Sequence, residues 1–281
     1  MRCSVLAIFK VCDTFLRYFA KLRHVVCHFR PNFMKKILFI FVLLFSNYYS
    51  YAQQWNEKYG QPIVVLLETD PWLMVIGSDV PTFALYENGQ IIYKKIVNNK
   101  WNYYEVINDF ETTQQIIKSF GITDSLMNGK AYFEVSNSTD QPTNILLLNF
   151  DTLREISVYG NLNKNNIEDR KKTPKDFLKV FDIIKKFEDK NSKEWLPDYI
   201  EILLTDYSHS PESPKKWPEL WPDLNNELTV KRNDFLYSLY LPKERFEDFI
   251  KLISDLKEKQ AIEIDGKKFS VSYRLPFPNL K

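Results

Sequence analysis

The sequence predicts an α+β fold, mainly antiparallel sheet with about three amphipathic helices. Three observations lead there. Apolar runs of strand length outnumber helical stripes, two pairs of alternating arms meet at Asn88-Gly89 and Asp265-Gly266, and the helical stripes carry apolar residues on one face only. Adjacent strands joined by tight turns pair antiparallel, because a parallel partner needs a crossover of about a dozen residues or more.

Taken in order, Ile63–Glu68 and Trp72–Gly77 are apolar runs bounded by Pro and Asp, and both are expected to be strands. In "TFALYENGQIIYKK" two alternating arms flank Asn88-Gly89, a pair suited to a hairpin in which both central residues take positive φ. A strand at Tyr103–Ile107 leads into a helix. Asn108 with Glu111 makes a capping box for it, and Gly121 is placed to end it in the left-handed conformation. "AYFEVSNSTDQPTNILLLNF" and "REISVYG" supply three more strands. Thr173 is expected to cap and Pro174 to open a helix with the stripe Phe177, Val180, Phe181, Ile184 and Phe187. Polar "DKNSKEWLPD" marks a division into two α+β subdomains, 53–190 and 191–281. Pro242 opens the last helix, whose stripe is Phe246, Phe249, Ile250, Ile253 and Leu256, and "AIEIDGKKFSVSYRL" closes the chain with a second hairpin.

Ahead of these elements stands "NFMKKILFIFVLLFSNYYSYAQQ". From Met34 it has a basic start at Lys35 and Lys36, an apolar run Ile37–Phe45, and small Ser50 and Ala52 before a cut expected between Ala52 and Gln53. The run stops at Ser46, short of the roughly 20 residues that span a bilayer, so residues 34–52 read as a cleaved signal with no stable membrane anchor left behind. Residues 1–33 then read as an N-terminal extension upstream of the true start. The exported protein is expected in the periplasm or outside the cell, beginning at Gln53. Intact-mass measurement on protein from its native host checks this, and a mature species retaining any residue before Met34 would contradict it.

Trimming changes the composition. The full chain carries 38 basic and 36 acidic side chains, and residues 53–281 carry 30 and 35. That mildly acidic balance removes the electrostatic footing for a nucleic-acid partner. All three cysteines, Cys3, Cys12 and Cys27, lie in the extension, so the mature chain has no disulfide, lipidated cysteine or thiol chemistry. Its 229 residues suffice to bury about 70% of their surface on folding.

"VPTFALYENGQIIY", "STDQPTNILLLNF" and "REISVYG" together resemble an exported bacterial domain of uncharacterised function, over about residues 80–160. The ending Ala-Gln-Gln after the signal is similar to exported proteins of Bacteroidetes-type bacteria. The resemblance implies export and a Gram-negative source, and it assigns no catalytic residue.

Residue chemistry is sparse. His209 in "DYSHSPESP" is the only histidine of the mature chain, and no Gly-x-Ser-x-Gly turn accompanies it. Asn161, Asn163 and Asn165 alternate as at the start of a calcium loop, but the glycine and early carboxylates are missing. No metal and no organic cofactor is expected. Asp70, Asp79 and Asp140 read as turn residues. Aromatic content is the remaining lead. Trp217 and Trp221 in "KKWPELWPDL", each followed by Pro, either display two rings to a ligand or fold back as a lid on the core, and the lid is the expected state because large rings stabilise any loop that buries them. Trp217, Trp221, Tyr207 and His209 are the candidate binding residues. The function expected is that of a non-catalytic binding or interaction module for a protein or glycan ligand. The alternative is a carboxylate-based hydrolase acting on a glycan or other envelope substrate, for which two acids must face each other about 5 to 9.5 Å apart.

Overall fold

The computed structural model describes residues 56–280 apart from 76, 77, 98 and 99. The expected extension 1–33, the expected signal 34–52 and the expected junction at Ala52 and Gln53 lie outside the described residues. Residues 53–281 form one compact unit, and the fold is α+β with two mainly antiparallel sheets, as expected.

The first sheet contains β1 (Pro62–Glu68), β2 (Phe83–Tyr86), β3 (Gln90–Val97), β4 (Lys100–Ile107), β5 (Tyr132–Glu134), β6 (Thr143–Asn149), β7 (Leu153–Tyr159) and β8 (Lys193–Glu194). Their spatial order is β5-β7-β6-β1-β2-β3-β4-β8. The second sheet contains β9 (Tyr199–Asp206), β10 (Lys215–Lys216), β11 (Thr229–Lys231), β12 (Leu236–Pro242), β13 (Ile262–Ile264) and β14 (Lys267–Arg274), in the order β10-β13-β14-β9-β12-β11. Five α-helices are described: α1 (Phe110–Phe120), α2 (Asp124–Asn128), α3 (Ile167–Lys172), α4 (Lys175–Lys185) and α5 (Phe246–Ser254).

Alternation along the strands divides the apolar residues between two cores. Val64, Leu66, Phe83, Leu85 and Ile91 point to one face of the first sheet, where Phe120 of α1 and Phe177, Val180, Phe181 and Ile184 of α4 cover them. Val65, Ala84, Ile92 and Tyr103 point to the other face and meet Ile200, Ile202, Leu204, Leu239 and Leu241 of the second sheet. Phe249 of α5 joins that shared core. The sheets therefore change over near Trp195 in the sequence but bury one apolar layer between them.

Local chemistry explains the boundaries, with two shifts from expectation. Asp109, not Asn108, caps α1: its carboxylate accepts the Thr112 amide at 2.7 Å, and that bond holds its carboxyl below the usual carboxylate range. Gly121 ends the helix at φ 64° as expected. Thr173 closes α3 rather than capping α4, since its hydroxyl donates to the Asp169 carbonyl at 2.8 Å, and α4 starts from Pro174 without a side-chain cap.

The two Asx-Gly turns also differ. Asp265 and Gly266 both take positive φ, 50° and 75°, as a two-residue hairpin requires. At the other, only Gly89 does, at 81°, and its amide donates to Tyr86 carbonyl at 3.0 Å, giving a three-residue loop with the bulge at glycine. A Cβ on Gly89 would stand 2.3 Å from the Asn108 carbonyl oxygen, whereas one on Gly266 would meet nothing within 4 Å. Gly89→Ala is expected to cost about 2 kcal/mol or more, against about 1 kcal/mol for Gly266→Ala, where only the backbone conformation is unfavourable. Urea titration of the pair checks the ranking, and equal losses would mean that the Asn108 contact is not tight in solution.

Candidate functional site

The expected strand at Trp72–Gly77 is absent over its described residues: Trp72 to Val75 run through turns. Asp70 makes the reason plain. Its carboxylate accepts the Trp72 amide at 2.9 Å, its carbonyl accepts the Leu73 amide at 3.3 Å, and its own amide donates to Asp79 at 2.7 Å. The segment folds on itself and satisfies its backbone locally, as Asx turns do, instead of pairing with a neighbour. Asp70 and Asp79 are turn residues, as expected. The run consequently adds no strand to the sheet, and two of its largest side chains stand largely in solvent. Trp72 is 76% exposed and Met74 more than half exposed.

A second display stands at the same end of the sheet. In the β3–β4 ladder Ile96 pairs with Trp101, which is 55% exposed, and Ile96 itself is half exposed. Lys94 stands beside the second display. Its ammonium lies 4.6 Å from the centre of the Trp101 ring, and its backbone amide donates to Thr82, next to β2. Burial pulls the Lys94 ammonium below its ordinary value, while the Glu68 carboxylate and, less strongly, that of Asp70 act the other way. Met74 in turn lies against the second sheet, with the Ser270 hydroxyl 3.4 Å from its sulfur. This end of the first sheet thus carries two exposed indoles, a thioether and an Ile side chain, and Met74 also touches the second sheet. Large exposed apolar side chains at one end of a sheet are candidates for an interaction surface.

The rings singled out from sequence lie elsewhere. Trp217 and Trp221 are 7% and 9% exposed and pack edge to face at 5.0 Å within the core shared by the sheets. This is the lid geometry. Lys215 and Lys216 add a short parallel strand beside β13, the Trp217 amide donates to the Glu263 carbonyl at 3.0 Å, and the indole Nε1 donates to the Pro222 carbonyl at 2.9 Å. Tyr207 is half-buried and His209 exposed, with their rings edge to face at 5.0 Å. The structure brings the two tryptophans together and the Tyr-His pair together, but none of the four lies on the Trp72 edge's described contacts.

Acid chemistry finds little support in the clefts. A cleft of about 410 Å3 beside α4 is lined by Arg170, Lys185 and Lys186 and has one carboxylate among its described lining residues, Asp182, which Arg170 holds through two bonds of 3.1 and 2.6 Å. The Asn161 loop ties itself down: Asp169 accepts from the Asn161 amide and from the Asn166 side chain, both at 3.0 Å. Among the described residues no three His, Cys, Asp or Glu side chains are placed to share a metal ion. The most buried carboxylate, Glu201, accepts from Arg274 and Ser238 at 2.6 Å each. Both of its oxygens are therefore already taken up by donors of the protein itself.

No family model, no curated protein and no solved structure matches the chain.

Proposed function

We propose that this protein is exported and works as a non-catalytic binding module, gripping a partner protein through the edge formed by Trp72, Met74, Ile96 and Trp101. The observation that carries this is the exposure of Trp72 and Trp101 on backbone that is held in place. The turn at Asp70 fixes one and the β3–β4 ladder the other, so little ordering entropy is lost when a partner seats on them. The choice of a protein over a glycan rests on the company the rings keep. A sugar stacks on flat faces, whereas Met and Ile beside Trp match the apolar centre of protein interfaces, where Trp most often dominates the binding energy.

Replacement in the native host tests this. Trp72→Ser with Trp101→Ser is expected to leave folding stability within about 0.5 kcal/mol of the parent, as for surface substitutions. It should release a species that co-purifies with the parent and with an Ile167→Ser control, Ile167 being an equally exposed apolar residue at the start of α3. Retention of the species by the double variant contradicts the proposal. Release of a polysaccharide in place of a protein would assign the edge to a glycan.

A further inference from the structure

Independently of the Trp72 edge, we infer that Arg232 and Arg274 form a subsite for a compact oxyanion, a carboxylate or phosphate group, on the face of the second sheet turned away from the shared core. The register sets the arrangement. Glu201, the third residue of β9, pairs with Tyr240 of β12 on one side and Arg274 of β14 on the other, so the three side chains stand in one row on one face. Ser238, opposite Leu203, is the next residue of β12 on that face. Arg232 reaches the same place from just beyond β11.

Glu201 is 2% exposed, whereas the side chains of Arg232 and Arg274 are 42% and 26% exposed, so the guanidinium groups lie between the carboxylate and solvent. Proton directions can be followed through the cluster. Arg274 donates Nε to Glu201 Oε2 at 2.6 Å. Arg232 donates its Nε–H to the Ser238 oxygen at 3.0 Å, and that hydroxyl in turn donates a hydrogen bond to Glu201 Oε1 at 2.6 Å. Arg232 Nη2 donates to the Tyr240 oxygen at 3.0 Å and approaches Glu201 Oε1 at 3.4 Å. Because Tyr240 accepts there, its hydroxyl proton is left to donate. Among the described residues, neither terminal nitrogen of Arg274 has an acceptor, nor has Nη1 of Arg232.

The remainder is one surplus positive charge and a set of N–H and O–H donors already oriented by a buried carboxylate. One arginine would neutralise Glu201, and the second is in excess of that need. Its charge is balanced by a ligand oxygen pair placed across both guanidinium groups, the geometry in which arginine recognises carboxylate and phosphate best. The site lies about 13 Å along β14 from Ser270, where Met74 touches the sheet, at the usual strand rise.

The test follows the arginine Nε–H signals of isotope-labelled protein during titration with inorganic phosphate, with glucuronate and with chloride. Arg232 and Arg274 are expected to shift saturably with phosphate or glucuronate but not with chloride, while the exposed Arg245 does not follow. Response to phosphate alone or to glucuronate alone names the source and supports the subsite in either case. Arg232→Lys, which keeps the charge but loses the fork, should weaken binding about tenfold, the worth of one bidentate charge-assisted contact. Tyr240→Phe, which leaves both arginines and Glu201 in place, should weaken it several-fold. The inference is overturned if neither anion shifts the two arginines at concentrations up to physiological salt, or if Arg245 shifts in parallel.

Discussion

Trp217→Ala and Trp221→Ala are each expected to lower the free energy of unfolding by about 3 to 5 kcal/mol, the range for truncating large core aromatics. Each removes a ring from a layer that both sheets share, and each leaves its partner without the edge-to-face contact. Trp217 carries more of the effect. Its ring also meets Phe249 of α5 edge to face at 6.4 Å, and its truncation frees the Pro222 carbonyl that the indole had satisfied. The two losses should fall short of adding in the double variant, because each mutation already breaks the contact the pair has in common. Urea melts of the two single variants and the double variant measure all three. Single variants within about 0.5 kcal/mol of the parent, the range of surface substitutions, would place the rings outside the core.

Arg274→Ala is expected to cost about 3 kcal/mol or more, because it strips the shortest charged contact from a carboxylate that has no access to water. Arg232 remains, but at 3.4 Å and with its Nε committed to Ser238. Replacing the pair together, Glu201→Leu with Arg274→Met, should recover more than half of the loss, since the stranded charge is what makes the single variant unstable. Denaturant melts of single and double variants decide. If the double variant is no better than Arg274→Ala, the cost lies in packing of the arginine stem and not in the charge.

How much of this was legible in the sequence depended on whether the deciding chemistry was local. The stripes of α4 and α5 were visible because three- and four-residue spacing is a property of adjacent residues, α1 was readable from its end signals, and Asp265-Gly266 was readable because the dipeptide itself prefers the turn it makes. β9 and β12, the centre of the second sheet, were not picked out. Buried on both faces, "YIEILLTD" shows no alternation, and Glu201, the one charged position inside the apolar run, interrupts it where the charged cluster forms. Trp72–Gly77 looked like a strand for its apolar content, but Asp70 offers the backbone a local partner first. Which tryptophans face water was beyond reach of the residues alone. Trp217 and Trp221 sit among prolines and charges yet are buried, whereas Trp72 sits in an apolar run and is exposed. The Arg232, Glu201 and Arg274 cluster was likewise invisible, as 73 residues separate Glu201 from Arg274 and only strand pairing unites them.

The binding edge is tested most directly by placing a photo-crosslinking side chain at Trp72 in the native host, beside two comparison positions, Ile167 and Phe110, that are equally exposed and apolar but belong to helices. The account predicts one discrete protein adduct from position 72, repeated from position 101 and absent from 110 and 167. Adducts of equal yield from all four positions, or none from 72 and 101, would contradict it.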